Sequence, residues 1–258
     1  MIPEPTVRTV SDGVARVSWP AMPEEGDFRA AVASISGAVE RALADHGRVE
    51  AWLDPEDTVS HRLATWSGMH REGVMRGGVL ADGEHRDRIV YARLASDAPL
   101  GEPAGFRALL NSFLPRKRAI SQLLVRDPDG RVLMCRLTYK KDWDLPGGVV
   151  EVGESPQLAA GREVLEELGL EVTPGRLLLT DWLPSWSGWD DALCLVFDGG
   201  VVSTSALDAV VREEREIAGV QFCDPADVRA HAADFTARRV EAALAALVDG
   251  TTYTESGR

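Results

Sequence analysis

The sequence predicts a mixed α/β protein that is built from two structural parts. Segments with strand-like alternation and segments with helical periodicity follow one another along most of the chain. A stretch rich in proline and glycine, residues 96–105, separates an N-terminal from a C-terminal group of such segments. We therefore predict a first domain at 1–95, a linker with a short helix at 96–116, and a second domain at 117–258.

The first domain shows the pattern ββαβαββ, which indicates a small α/β or α+β unit. The turn dipeptides Asp12-Gly13 and Asp82-Gly83 each lie between two strand-like runs and predict hairpins. Asp27 is a candidate cap for the first helix, and Gly47 a candidate for its end. The predicted elements are strands within 7–19, a helix at 27–45, a strand at 49–53, a helix at 57–67, and strands at 69–80 and 88–95.

The second domain follows a short predicted helix at 106–114 and opens with another hairpin signal, Asp127-Pro128-Asp129-Gly130. Mixed strands with helices on both sides are expected from the order of its segments. The predicted elements are strands at 119–126, 131–137, 176–183, 192–198 and 220–222, and a helix at 235–248. We expect residues from 250 onward to be frayed.

Composition limits the classes of function. The net charge of −13 argues against binding through a nucleic-acid backbone, which requires a basic surface. The sequence contains no apolar run near the length of a membrane span, and its first residues lack the pattern of a secretory signal. Three unclustered cysteines, Cys135, Cys194 and Cys223, fit buried, reduced thiols. We therefore expect a cytoplasmic protein.

The most informative stretch, residues 148–170, predicts a loop followed by one short helix. Ser155 can cap this helix, Pro156 suits its first turn, and Gly169 suits a left-handed end. At about 100° per residue, the helix has an apolar face and an acidic face. The apolar face is predicted to hold Leu158, Gly161, Val164, Leu165 and Leu168, and the acidic face Glu163, Glu166 and Glu167.

Three carboxylates in little more than one turn repel one another, at a few tenths of a kcal/mol per pair in an isolated helix. A divalent cation would offset this repulsion, since Mg²⁺ takes oxygen ligands and tolerates several carboxylates. Gly147 and Gly148 directly precede the segment and could offer backbone carbonyl groups to the same ion. A charged, solvated helix face is the simpler interpretation of the glutamates taken alone.

The complete set of residues resembles the signature of the Nudix hydrolase family at Gly148, Glu154, Arg162, Glu163, Glu166, Glu167 and Gly169, with aliphatic Val164 and Leu170. The resemblance covers roughly residues 117–249 and implies an α/β/α sandwich with a mixed sheet. It also implies hydrolysis of a nucleoside diphosphate linked to another group, with Mg²⁺ or Mn²⁺. By resemblance, Glu163, Glu166 and Glu167 hold metal, while Arg162 and Glu154 orient that catalytic cluster.

Two further groups are candidates for binding a nucleotide-type substrate. Trp186 and Trp189 follow the signature, and their flat faces could stack on a nucleobase, although packing in the core or in a loop is the simpler role for each of them. Glu213, Glu214 and Glu216 lie in a charged stretch where many Nudix domains carry another carboxylate, although a solvated loop would look the same. The general base is not assigned.

Three parts of the first domain resemble the C-terminal half of GNAT acetyltransferases: residues 49–60, 68–74 and 86–94. Asp57 and Met69 depart from that family's usual Asn and Phe, and its pyrophosphate-binding loop before the helix at 27–45 is missing. We therefore expect a smaller, truncated and catalytically silent GNAT-like α/β domain. It would serve in packing, in forming a homodimer or in shaping the entry of substrate.

Two alternative functions belong to other classes. The first domain could be an acetyl-CoA-dependent N-acetyltransferase, which tight binding of acetyl-CoA would support. Alternatively, the second domain could be a sensing module that binds a nucleotide without cleaving it. The complete set of glutamates disfavours the sensing module, since a protein that only binds has little need for all of them. The sequence does not identify the substrate.

Overall fold

The computed structural model describes residues 4–21 and 27–258, and the contacts within the chain divide it into two compact units. The first unit ends at Pro115 and the second begins at Arg116. Residues 1–3, part of the start that was compared with a secretory signal, lie outside the described residues, as do residues 22–26.

The predicted order ββαβαββ is confirmed in the first unit, and one more helix follows it. Strand β5 begins four residues earlier than predicted, because Asp82 and Gly83, both with positive φ, form a tight turn directly after β4. The α1 helix begins after Asp27, whose side chain accepts from the amide of Ala30, but it ends before Gly47. The elements are β1 (Thr6–Ser11), β2 (Val14–Ser18), α1 (Phe28–Leu43), β3 (Arg48–Leu53), α2 (Thr58–Trp66), β4 (His70–Ala81), β5 (Glu84–Leu94) and α3 (Pro103–Phe113).

The sheet of the first unit has the strand order β1-β2-β3-β5-β4. Strands β2 and β3 are parallel, and the other neighbours are antiparallel. Helices α1 and α2 bury Ile35, Val39 and Leu63 together with Ala51 and Tyr91 of the sheet. This cluster gives the first unit an apolar core of its own.

The segment predicted as a linker, 96–116, contains α3, which begins three residues earlier than expected because Pro103 suits the first turn of a helix. Leu109 of α3 is buried, and the Oγ of Ser112 accepts a hydrogen bond of 3.3 Å from the amide of Arg71 on β4. Helix α3 therefore packs as part of the first unit.

The second unit is an α/β/α sandwich around a mixed sheet, as the resemblance implied. All predicted strands and the long C-terminal helix are present, together with three elements that were not predicted: β8, α5 and β12. A short 3-10 turn, Thr204–Ala209, follows β10. The elements are β6 (Arg118–Arg126), β7 (Val132–Leu137), β8 (Gly147–Val149), α4 (Pro156–Leu168), β9 (Leu177–Leu183), β10 (Ala192–Val201), β11 (Ile217–Cys223), α5 (Pro225–His231), α6 (Asp234–Asp249) and β12 (Thr252–Glu255).

Strand β6 lies at the centre of this sheet, in the order β11-β7-β6-β10-β9-β12, and also pairs with β8. Its successive side chains point to opposite faces. Leu123 and Val125 pack with Val164 of α4, whereas Leu124 packs with Val240 of α6. Both faces of β6 are thus covered by a helix, and α4, which carries the glutamates of residues 148–170, is fixed against one of them.

The expectation of a frayed C-terminus is wrong, since β12 pairs in parallel with β9. A buried carboxylate explains why the C-terminal residues are held in place. Asp181 of β9 accepts hydrogen bonds from the hydroxyl of Thr254 and from the amide of Gly257, each at 2.8 Å. Its other oxygen accepts from Nε of Arg239 at 2.9 Å, and both side chains are almost fully buried.

The buried Arg239 connects this pair to the segment that precedes β8. Its Nη1 donates to the side chain of Gln122 at 3.2 Å, and Gln122 donates to Asp144 at 2.9 Å. Asp144 also accepts from Nζ of Lys140 at 2.7 Å. A continuous polar network therefore runs from α6 through β6 to the segment directly before β8.

Among the described residues, no helix combines the length and the apolar character that crossing a lipid bilayer requires. The three cysteines are buried and unpaired, as predicted. Burial raises the pKa of Cys194 and that of Cys223 to about 11, so both thiols are poor nucleophiles at neutral pH.

We expect Asp181→Ala to lower the free energy of unfolding by about 3–5 kcal/mol, because it leaves the buried guanidinium of Arg239 without its carboxylate. Amides of β12 should also exchange faster with solvent. Urea unfolding and hydrogen exchange measure the two effects. Glu241→Ala breaks the exposed pair between α6 and Arg229 and should change stability by less than about 1 kcal/mol. Equal effects of the two variants would contradict this account.

Candidate functional site

Two glycines allow β8 to lie close to its neighbours. Gly147 has φ of 137°, and a Cβ there would collide with the carbonyl oxygen of Ser121 on β6. A Cβ on Gly148 would lie 2.5 Å from Cδ of Glu163. Because real Cβ atoms do not approach other atoms so closely, a side chain at Gly148 would displace the Glu163 carboxylate.

Helix α4 carries the glutamates and has the predicted ends. It begins at Pro156, and Gly169 ends it with φ of 67° and an amide that donates to the carbonyl of Leu165. Ser155 occupies the N-cap position as predicted, but its side chain makes no capping hydrogen bond.

The predicted apolar face of α4 is partly wrong. Leu158 and Leu165 are exposed, at 69% and 47% of their surface, and Glu167 is buried in their place at 7%. The helix is rotated toward β8 relative to the prediction, because the glycines leave room for a side chain there. The residues that α4 buries are Ala159, Ala160, Val164, Glu167 and Leu168.

The guanidinium of Arg162 joins several carboxylates. Its Nε and Nη2 donate to the two oxygens of Glu154 at 2.8 and 3.0 Å, which is a bidentate pair. Nη2 lies 3.0 Å from Glu163, and Nη1 donates to Glu166 at 2.9 Å. Nη2 also donates to the carbonyl of Val149 at 3.3 Å. The bond from Arg162 holds the pKa of Glu154 below its usual range.

Two of the glutamates are destabilised as anions by their surroundings. Burial raises the pKa of Glu167 to about 7, and the charges of Glu163, Glu216 and Asp144 add to the shift, while the amide of Gly147 opposes it from 3.4 Å. Burial also raises the pKa of Glu163, against the opposing charge of Arg162. Arg162 therefore balances only part of the negative charge at this site.

Of the acidic stretch before β11, Glu216 has the strongest electrostatic connection to the cluster, since its charge raises the pKa of both Glu163 and Glu167. Glu213 is paired with Arg215 at 2.7 Å, and its amide donates to the carbonyl of Glu167. Glu214 is exposed. Of the three glutamates in this stretch, Glu216 is therefore the one whose charge acts on the cluster. Its position in the charged stretch was the feature of the sequence that pointed to it.

Asp144 is a second acidic neighbour that the sequence did not single out. Burial acts against its charged form, but the charges of Lys140 and Arg239 hold the pKa of Asp144 below its usual range. Its negative charge thus persists near Glu167. The only feature of the sequence that could have pointed to Asp144 is its position, three residues before Gly147.

Trp186 and Trp189 lie in a tight hairpin between β9 and β10, where each backbone amide donates to the other's carbonyl. About half of each side chain is exposed, at 52% and 54%. The Trp186 ring meets Phe235 edge to face, with centroids 5.6 Å apart, and the guanidinium of Arg118 lies 4.9 Å from the Trp189 ring. Both indoles thus present surface to solvent rather than filling a core.

The oxygen-rich cluster is the part of the second unit whose chemistry suits a divalent cation, since it consists of carboxylates and backbone carbonyls. In the arrangement that the structure describes for residues 4–21 and 27–258, no three His, Cys, Asp or Glu side chains converge as a complete ligand set. Arg162 lies between Glu163 and Glu166 instead. The cluster therefore suits a cation by the type of its donor atoms and by its negative charge, and not by the present positions of its side chains.

Comparisons with known proteins agree with the geometry of the second unit. The sequence model of the NUDIX domain matches residues 115–244, which is just over half of the chain. A MutT-like protein from Streptomyces ambofaciens is 43% identical over 54 residues, covering 21% of this chain and 34% of that protein. An RNA pyrophosphohydrolase from Hydrogenovibrio crunogenus is 35% identical over 63 residues, covering 24% of this chain and 38% of that protein. The chain thus spans well under half the length of these curated relatives.

A solved structure resembles the N-terminal part of the chain. It is a GNAT-family acetyltransferase from Bacillus anthracis, with 21% sequence identity and a TM-score of 0.34 over 36% of this chain and 58% of that one. A likeness at this level does not establish an activity.

Glu167→Gln should stabilise the metal-free protein at pH 8 but not at pH 4. The raised pKa means that wild-type stability is lost as pH rises from the ordinary value of a glutamate toward about 7. Above that pH the uncharged glutamine avoids a penalty of up to about 3 kcal/mol. Urea unfolding with a chelator present measures the difference.

Glu166→Gln is the matched control, because Glu166 lies on the same helix with 59% of its side chain exposed. Its effect on stability should stay below about 1 kcal/mol at both pH values. A stabilisation by Glu167→Gln that is the same at pH 4 and pH 8, or a loss of stability at pH 8, would contradict the assignment of the shift to a buried carboxylate.

Proposed function

Because the chain belongs to the Nudix hydrolase family, we propose that its second unit hydrolyses a phosphoanhydride bond in a nucleoside diphosphate linked to another group. The observation that carries the proposal is the cluster in which Arg162 contacts Glu154, Glu163 and Glu166 beside the buried Glu167. A helix without a function in binding cations gains nothing from burying one carboxylate next to others.

Metal binding is assigned to Glu163, Glu166 and Glu167, with the carbonyl groups of Gly147 and Gly148 as further ligands. Support comes from the donor type, since Mg²⁺ and Mn²⁺ take oxygen ligands. It also comes from the raised pKa of Glu163 and of Glu167. The surroundings of these two carboxylates disfavour their charged forms, and a bound cation would favour them. When bound, the cation would offset charge on the diphosphate and acidify a water molecule.

The other residues of the cluster act through orientation. Arg162 and Glu154 form a bidentate pair between α4 and the loop before it, and Arg162 thereby fixes where Glu163 and Glu166 point. Glu163 and Glu166 are equal candidates for the base that accepts the proton of the attacking water. Glu216, through its charge, would support the same cluster.

The exposed indoles of Trp186 and Trp189 are assigned to stacking on the nucleobase, which tolerates different bases. Register supports this assignment. Arg118, at the start of β6, pairs with Ala192 at the start of β10. Ala119, which follows Arg118 on β6, accepts a hydrogen bond at its carbonyl from the amide of Val150, just beyond β8. The tryptophan hairpin and the end of β8 thus adjoin the same end of β6. Glu213 and Glu214 are secondary candidates for contacting substrate.

The activity is tested with the full chain and millimolar Mg²⁺, by release of phosphate or nucleoside monophosphate. The panel comprises nucleoside triphosphates, ADP-ribose, nucleotide sugars, dinucleoside polyphosphates, NADH and an RNA with a 5′-triphosphate. The RNA is included because one relative is named an RNA pyrophosphohydrolase. We expect turnover of one class, which a chelator removes, and a loss of about 10²- to 10³-fold in kcat for Glu163→Gln and Glu166→Gln.

Glu171→Gln is the matched control, since Glu171 is exposed and lies just beyond the signature helix. Its kcat should equal that of the wild type. Turnover that survives both Glu163→Gln and Glu166→Gln would contradict the assignment of the site. Nucleotide binding without turnover of any member of the panel would instead favour the sensing module.

A further inference from the structure

A cavity of about 390 Å³ lies within the first unit, between α2, the sheet and α3. Its volume falls in the range of about 300–1,000 Å³ that is typical of sites for small molecules. The proposed hydrolysis does not use it, since every residue that lines it precedes Pro115.

The walls of the cavity are apolar but incompletely covered. Helix α3 contributes Phe106, Leu110 and Phe113, with the buried Leu109, at the spacing of one helical face. Trp66 of α2 completes the rim. Trp66, Phe106 and Phe113 keep 55%, 44% and 39% of their surface exposed. Three large aromatic side chains exposed around one cavity differ from the single apolar residues that are scattered over ordinary surfaces.

The charged groups of the cavity wall are two arginines, Arg62 and Arg71. His61 also contributes to the lining, and no aspartate or glutamate does. Within the described part of the chain, no ion pair is formed by Arg62 or Arg71, whereas the next residue on β4, Glu72, is bound by Arg48. The guanidinium of Arg62 lies over the ring of Phe28, at 4.8 Å from its centroid.

Register directs Arg71 toward the cavity. It lies opposite Tyr91 in the pairing of β4 with β5, so the two side chains share a face of the sheet. Tyr91 is buried and lines the same cavity, and burial raises the pKa of its hydroxyl, which stays neutral. Arg71 therefore offers an unpaired cation beside an apolar space that is large enough for a ligand.

We propose that this cavity binds a small organic carboxylate with an apolar body. The body would contact Trp66, Phe106, Leu110 and Phe113, and the carboxylate would accept a bidentate pair of hydrogen bonds from Arg71. The charge of the lining selects an anion, and its apolar walls select a ligand with few other polar groups. A second copy of the chain, which could cover the same apolar face, is an outcome that the test separates.

The probes are two matched pairs, 4-phenylbutyrate with 4-phenylbutyramide and octanoate with octanamide, titrated calorimetrically into the full chain. Within each pair the shape is nearly constant and only the charge changes. We expect saturable binding of one acid at least, and an affinity that is roughly tenfold to a hundredfold higher than that of its amide, as a charge-assisted hydrogen bond provides.

Two variants locate the site. Arg71→Gln should remove the preference for the acid over the amide, and Leu110→Trp should fill the cavity and abolish binding of both. Arg107→Gln on the same helix is the matched control, since Arg107 is exposed and outside the lining, and it should bind as the wild type does. Circular dichroism and thermal unfolding of each variant without ligand establish that it is folded.

Several results would overturn the proposal. They are the absence of saturable binding at millimolar probe, equal affinity for acid and amide, and binding that survives Leu110→Trp in a folded protein. Self-association of the wild-type chain that Leu110→Trp abolishes would also overturn it, because a second copy would then cover the apolar face.

Discussion

The guanidinium of Arg162 connects the parts of the candidate site. It binds Glu154 on the loop, Glu163 and Glu166 on α4, and the carbonyl of Val149 at the end of β8. These contacts need a planar cation with several donors, which arginine supplies and lysine does not. The positions of loop, helix and strand are thereby fixed by one side chain, and the glutamates can lie close together despite their repulsion.

The sheet sets a second constraint, because β6 holds β8 close enough for Gly148 to contact the carboxylate of Glu163. The same proximity buries Glu167, which is unfavourable for stability in the absence of a cation. An arrangement that is costly in the free protein and favourable with a ligand is common at functional sites. The polar network through Gln122 and Asp144 supports the approach from the other side of the strand.

Much of this architecture could be predicted from sequence, since the glycine, proline and glutamate positions of residues 148–170 follow local rules of turns and helix ends. The rotation of α4 could not, because burial of Glu167 rather than Leu158 depends on space left by a strand distant in sequence. The order of the C-terminus likewise depends on Asp181 and Arg239, whose pairing is purely tertiary. The cavity of the first unit could not be predicted, because the helix predicted at 106–114 falls in a segment whose composition is typical of a linker.

The central place of β6 has a consequence for how the second unit is made. Strand β6 is the first strand of its unit to leave the ribosome, but its parallel neighbour β10 follows only after α4 and β9. Pairing of strands far apart in sequence is slow to form. Until β10 and α6 have been synthesised, one edge of β6 lacks its parallel neighbour and the face that carries Leu124 lacks its helix. The nascent chain is then at its most vulnerable to aggregation, and chaperones have the most to protect.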